Sequence, residues 1–406
     1  MSDQSEMEAQ LRILMNIAAG DQPRRVDVQV IQRLARRRAI ASVAAAMAVV
    51  LIGGAGVALA ARSVSRQPAA SGPLPAGVPR YYFEQGSAYA EHPVNVIRAT
   101  ASGAVTATVR CPGPGRTLVG AVVAVRPGTF FVICQSYAKK WPSQLVTGAQ
   151  IYGFTLTSSG RIRGYVPVPG GKLAGLSARD MAATPGGSRV AVSVAPAARA
   201  RSGPDEILVI NTKAGTRATW AWPKQTPGRI YFELGRMSLT GNGNELAVEA
   251  QARCVKEKKT SKCGATGGEQ VRAFDITGTG GKIGEGRILL RQSSIIRPSA
   301  GNLLGAFISL DGASITLAEG GLSGSGSHGF VAVLRVSVTN SRDQHTIYRM
   351  RTGNGWSFRI LSPDPSQRHL IITAGSGLHT LNGLIDHGRL RPLTPRAGDS
   401  IWQEAW

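Results

Sequence analysis

From about Tyr81 onward, apolar residues recur at nearly every second position in short runs such as RVAVSV and ELAVEA, each closed by turn-forming residues. A period of two sends alternate side chains to opposite faces of a strand, so the pattern predicts sheets stacked face to face. The runs also repeat. A turn followed by a strand recurs as RPGTFFVICQ around Gly128, TPGGSRVAVSV around Gly187, TGNGNELAVEA around Gly243, LDGASITLAEG around Gly312 and SPDPSQRHLIITAG around Ser366, at spacings of 59, 56, 69 and 54 residues. A hairpin belongs to each unit, as in IYGFTLTSSGRIRGYVPV, EILVINTKAGTRATWAW, QVRAFDITGTGGKIGEGRILL, FVAVLRVSVTNSRDQHTIYRM and GLHTLNGLIDHGRLRPL. An earlier hairpin, VNVIRATASGAVTATVR, brings the number to six. Self-similarity at such a period is the signature of stacked repeats.

The first unit has one strand, Tyr81 to Gln85, ahead of its hairpin, where the others have two. The chain ends in SIWQEAW, Ser400 to Trp406, a strand-like segment with no unit of its own. If that segment completes the first unit, six four-stranded sheets close into a ring and the exposed edges vanish. The expected fold is therefore all-β, a six-bladed β-propeller over residues 80–406.

The N-terminal part follows a different period. Leu11, Leu14, Met15 and Ala18 recur at helical spacing, and Pro23 and Asp27 introduce a second run with Val30, Ile31 and Leu34 on one side. Between Arg38 and Arg62 lie 23 uncharged residues, AIASVAAAMAVVLIGGAGVALAA, long enough for one crossing of a bilayer. Arg33, Arg36, Arg37 and Arg38 precede that run, while Arg62 and Arg66 follow it, so the positive-inside rule places the N-terminus in the cytoplasm. Ala58-Leu59-Ala60 fits a signal-peptidase pattern. The patterned 38 residues ahead of the run favour an uncleaved anchor. The expected organisation is a basic cytoplasmic helical segment at 1–38, a transmembrane helix at 39–61, a Pro-rich spacer at 62–79 and the propeller at 80–406. The expected location is the cell membrane, with one pass and an extracytoplasmic C-terminal domain.

Charge narrows the partners. The net charge is +23, but 37 of the 47 basic residues are Arg and they are spread over nearly the whole chain, whereas a nucleic-acid groove would concentrate them. No nucleic-acid partner is expected. The dense patch Lys256, Lys258, Lys259 and Lys262 falls in a loop and reads as a solvated run. Beyond position 61, 40 basic residues oppose 19 acidic ones, a net +21 that favours an anionic envelope component such as wall polymer or lipid headgroups.

The blade pattern, with TPGGSRVAV and SLDGASITLA each followed by a hairpin tipped by AG or SG, resembles the TolB-like and WD-repeat-like propellers of bacteria. With RRVDVQVIQRLARRR ahead of the apolar run, YYFEQG and NVIRATASGAVTATV in the first blade, and a terminal Ala405-Trp406, the arrangement resembles actinobacterial single-pass membrane proteins carrying an extracytoplasmic propeller. That resemblance implies fold and topology and no particular activity. The WD dipeptide itself is absent.

Candidate chemistry is sparse. Cys111, Cys134, Cys254 and Cys263 all lie in the expected exterior, where disulfides form. Of three connectivities, Cys111 with Cys134 and Cys254 with Cys263 is preferred, the second pair closing the Lys-rich loop. No CxxC or His pair suggests zinc, and residues 1–61 lack the His and Cys that a zinc-type anti-sigma factor would need. Gly324, Gly326 and Gly329 match GxGxxG, but a strand follows where a nucleotide site needs a helix. Ser136 and Lys139 match SxxK without its KTG and SDN partners. His92, His328, His345, His369, His379 and His387 have no ligand spacing. Propeller enzymes can draw metal ligands from several blades into a central channel, and Asp180 and Glu233 are the metal candidates there. Asp311 and Asp364 have turn roles instead. No catalytic residue and no cofactor is assigned. The leading expectation is a non-catalytic binding, sensing or scaffold protein of the envelope. The alternatives are a membrane-tethered propeller hydrolase or lactonase, and a sigma-factor or transcription-regulator partner acting through residues 1–38.

Overall fold

The computed structural model describes residues 74–85, 95–113, 117–138, 146–197, 206–221, 230–254, 269–282, 286–291, 303–322, 329–352, 357–376, 379–393 and 403–406. Segments 1–38 and 39–61, the Lys-rich loop, the GxGxxG run up to His328, Lys139 and His92 lie outside them, as do Cys263 and the side chain of Cys254. Among the described residues no helix is long and apolar enough to cross a membrane.

The strands form six sheets, the blades, each built on four antiparallel strands. Blade 1 contains Gln403–Ala405, Tyr81–Gln85, Asn95–Ala99 and Val105–Thr108, in that spatial order. Blade 2 contains Thr117–Arg126, Thr129–Tyr137, Val146–Leu156 and Ile162–Ala174; blade 3 contains Leu176–Ala183, Arg189–Pro196, Glu206–Asn211 and Arg217–Ala221. Blade 4 contains Ile230–Leu239, Glu245–Cys254, Gln270–Asp275 and Arg287–Arg291; blade 5 contains Leu303–Ile308, Ser314–Leu322, Gly329–Ser337 and Gln344–Thr352. Blade 6 contains Ser357–Pro363, Leu370–Ser376, His379–Asp386 and Arg389–Pro392. The first strand named in each blade touches its counterparts in the two neighbouring blades, so these six strands ring the axis. Phe83 pairs with Ala405 and Gln85 with Gln403, which closes the ring through the chain's last strand.

Alternation along the second strands explains how the blades stack. Val190 and Val192 pack toward blade 2 with Ile133 and Ile151, whereas Ala191 between them packs toward blade 4 with Leu246 and Val248. The third strand of blade 5 alternates in the same way: Phe330, Ala332 and Leu334 join the core shared with blade 4, and Val331 and Val333 the one shared with blade 6. Among the described residues the buried apolar side chains fall into six such clusters, one at each blade interface. The seam between blades 6 and 1 holds Trp406, Tyr82, Ile371 and Leu384, and Val78, from the stretch ahead of the first strand, is buried with them.

In blades 3 to 6 the turns between first and second strands share one construction. The N–H of Gly187, Gly243, Gly312 or Gln367 donates to the carbonyl of Thr184, Thr240, Ser309 or Asp364. The side-chain oxygen of that same residue accepts from the N–H five residues on, at 3.0 Å for Arg189, 3.2 Å for Glu245, 2.9 Å for Ser314 and 3.1 Å for His369. The glycines have φ of 73°, 69° and 75°, the left-handed region that glycine enters without steric cost. In blade 6 that position is Gln367, with φ 57°, one residue beyond the Ser366 on which the sequence repeat was centred.

Blade 3 differs from the expected four strands. Gly280–Lys282, from the outer connection of blade 4, adds to it as a fifth, parallel strand against Arg217–Ala221. A Cβ at Gly280 would lie 2.3 Å from the Thr219 carbonyl oxygen, so only glycine permits that approach. The extra strand covers an edge that would otherwise be open to pairing. Cys111, after the last strand of blade 1, forms a disulfide with Cys134 on the second strand of blade 2.

Candidate site in the central channel

The first strands of blades 2 to 6 each carry a bulge, between Val119 and Ala121, Ala178 and Asp180, Leu234 and Met237, Leu303 and Ala306, and Phe358 and Ile360. A bulge adds an unpaired residue and re-aims the side chains beside it. In blades 3 and 4 it brings charged groups to the axis.

The channel cavity measures about 120 Å³ and draws on all six blades, with Val122, Asp180, Arg236, Phe307, Leu361 and Ala405 each representing one. Asp180 Oδ2 accepts from the Met237 amide of blade 4 at 2.9 Å. Its own N–H donates to the hydroxyl of fully buried Ser193 at 3.0 Å. Gln135 links blades 2 and 3 in a related way, its Nε2 donating to the Ala178 carbonyl at 2.9 Å.

Glu249, on the second strand of blade 4, lies opposite the bulge. Its Oε2 accepts from the Arg236 amide at 3.4 Å, and its buried Oε1 has no hydrogen-bond partner within good geometry. Burial pushes the Glu249 carboxyl up to about 7, against the pull of the Arg236 charge and of the Arg236 and Ala306 amides, and with a smaller push from Asp180. Burial likewise raises Asp180, opposed by the Arg236 charge and the amides of Met237 and Met181. The group is therefore two carboxyls sharing one guanidinium, with Glu249 exchanging a proton near neutral pH. Arg236 already supplies the positive charge there, which disfavours a dication beside it. Among the described residues no three His, Cys, Asp or Glu side chains converge as a metal site.

Of the two metal candidates, Asp180 lines the channel. Glu233 is on the first strand of blade 4, paired in register with Gln251, and its side chain is outside the described set. The partner that sequence reasoning missed is Glu249. Its signal is an acid in ELAVEA that alternation places on the same face as Ala247, which is buried against blade 5. Asp311 Oδ1 accepts from the Ala313 amide at 3.0 Å within its turn. Asp364 accepts from the Arg368 and His369 amides, and its Oδ2 lies 3.3 Å from Nδ1 of buried His369. Ser136 sits near the end of a strand, on the second strand of blade 2.

No protein-family model matches the chain, and no curated protein matches it. Solved structures do. TolB from Acinetobacter baumannii is similar at 14% identity and a TM-score of 0.48, over 80% of this chain and 66% of that one. Prolyl oligopeptidase B from Galerina marginata is similar at 11% identity and a TM-score of 0.37, over 69% of this chain and 44% of that one. The β-propeller domain of Cps50 (Swd1) from Myceliophteria thermophila is similar at 10% identity and a TM-score of 0.40, over 75% and 81%. The chain thus spans less than two thirds of TolB and under half of the oligopeptidase. At these identities the likeness is one of fold.

Proposed function

We propose that this chain is a membrane-tethered, extracytoplasmic propeller that binds an anionic component of the cell envelope and does no chemistry of its own. The observation that carries the reading is the size and wiring of the channel. At about 120 Å³ it has room for several waters, far below the roughly 300–1,000 Å³ of small-molecule sites, and Asp180 is already engaged by the next blade. Recognition then falls to the outer surfaces, where the net +21 beyond position 61 attracts anions. Tethering rests on the uncharged run 39–61 and the arginines before it. The test is retention of envelope polymers by the full chain in detergent over a salt series. Retention should fall steeply with ionic strength, as contacts between exposed charges do. Salt-insensitive retention, or none at low salt, refutes the reading.

A second reading, a tethered propeller hydrolase or lactonase, is favoured by one feature: burial pushes the Glu249 carboxyl up to about 7 beside Arg236 and Asp180, an environment typical of catalytic acids and bases. Turnover of simple lactones or esters by the full chain, abolished in Glu249→Gln, would establish it in place of the first.

A further inference from the structure

A groove between blades 5 and 6 differs in character from the channel. It measures about 550 Å³; its polar lining is Arg335 and His345 of blade 5 and Gln367, Arg368 and His387 of blade 6, over an apolar floor of Ile347, Leu370 and Ile385. Arg335 and His345 are direct cross-strand partners on the third and fourth strands of blade 5, so their side chains project from the same face. Arg368 follows the blade 6 turn, and His387 sits at the tip of that blade's outer hairpin, 95% exposed. Both arginines are exposed, and among the described residues neither forms a salt bridge. The acids nearby are Asp311, whose carboxyl feels the Arg335 charge, and Asp386, 3.7 Å from His387 Nε2 and 3.9 Å from His369 Nε2.

The backbone marks the same place. Gln367, with φ 57°, and His387, with φ 46°, are the two non-glycine residues in the left-handed region among the described residues, and both line this groove. Blades 3, 4 and 5 place glycine where blade 6 places Gln367. Its side chain reaches across to blade 5, where Nε2 donates to the Ile308 carbonyl at 2.9 Å. Backbone strain of this kind clusters at ligand sites.

We propose that the groove between blades 5 and 6 is an anion site that takes a phosphoryl group, held by Arg335 and Arg368 with His345 and His387 as further donors. Guanidinium forks match phosphate oxygens, and the imidazoles add N–H donors from both blades. A tetrahedral phosphoryl group presents oxygens in several directions and so satisfies donors on both walls, whereas a planar carboxylate serves one fork. The proposal deepens the binding function proposed above and rests on it, adding the place and the chemistry of recognition.

The experiment is calorimetric titration of the full chain with inorganic phosphate at low salt. Three proteins are compared: wild type, Arg335→Ala/Arg368→Ala, and Arg161→Ala/Arg163→Ala, which removes the same charge from exposed positions on blade 2. Saturable binding that weakens at least tenfold in the groove variant, and less than twofold in the blade 2 variant, supports the site. Equal loss in both variants, or no saturable binding by wild type, overturns it. The same proteins are tested for retention of envelope polymer. If wild type and the groove variant retain it equally, the groove fails and the broader reading stands; if wild type retains none, the broader reading fails. Competition by phosphatidylglycerol vesicles assigns the phosphoryl group to a lipid headgroup, and competition by a soluble phosphodiester assigns it to a polymer.

Discussion

The carboxylate of Asp180 on blade 3 accepts the backbone N–H of Met237 on blade 4, 57 residues away in sequence, at 2.9 Å. One side chain thus joins two first strands at the level of their bulges and stands beside the Arg236 guanidinium, which stabilises its charged form. Replacing it by alanine leaves the Met237 amide unpaired at a largely buried blade seam and Arg236 with one counter-charge fewer. Loss of a buried partner of this kind costs about 1–3 kcal/mol. Asp180→Ala should lower unfolding free energy by that amount in denaturant titrations, and Asp180→Asn, which retains an acceptor oxygen, should lose less. An alanine variant as stable as wild type contradicts the structural role.

Glu249 makes stability depend on pH in a definite direction. Its carboxyl is raised from 4.5 to about 7, so between those values the folded chain holds a proton that the unfolded chain has released. Stability from this group is therefore full below about 4.5, falls as pH rises through 7, and is flat above. At about 1.4 kcal/mol per unit the total is on the order of 3 kcal/mol. Asp180 shifts in the same direction and adds to the slope. Unfolding free energy measured at pH 5 and pH 8 should show the fall in wild type and a flatter profile in Glu249→Gln. Identical profiles mean that Glu249 does not carry the raised value.

Trp406 is completely buried, and its Nε1 donates to the Ser362 carbonyl of blade 6 at 3.3 Å. It packs at the seam that closes the ring, with its ring centroid 6.4 Å from that of Tyr82. Trp406→Ala should cost about 3–5 kcal/mol, as core Trp truncations do. The measurement is the denaturant midpoint; a shift equivalent to less than 1 kcal/mol shows that closure depends on the strand pairing alone.

The repeated turns rank two glycine substitutions. A Cβ at Gly187 would meet the Phe131 ring at 2.9 Å, whereas at Gly312 the nearest atom, Thr240 Cγ2, is 3.5 Å away. Both substitutions incur left-handed strain of about 1–2 kcal/mol. Only Gly187→Ala adds a clash inside a packed interface. Thermal midpoints should fall further for Gly187→Ala than for Gly312→Ala, and the reverse order would show that the turn relaxes away from Phe131.

The blades themselves could be read along the chain. Alternation in RVAVSV, the glycines at 128, 187, 243 and 312, and the hairpin tips are signals within a few residues, because strands and tight turns are set by local sterics and side-chain period. Even closure was readable, since an incomplete first unit and a spare terminal strand leave one economical pairing, the one seen between Phe83 and Ala405. The site was less accessible. Asp180 stood out as an acid without a turn role, but its partners Arg236 and Glu249 belong to the next blade. They meet it only because the bulges at Arg179 and Gly235 shift the strands and because ring closure sets one blade against another. The fifth strand of blade 3 and the groove of Arg335 and Arg368 likewise join residues from different blades. Contacts of that range depend on how completed sheets pack, a property that the spacing of residues within any one blade does not contain.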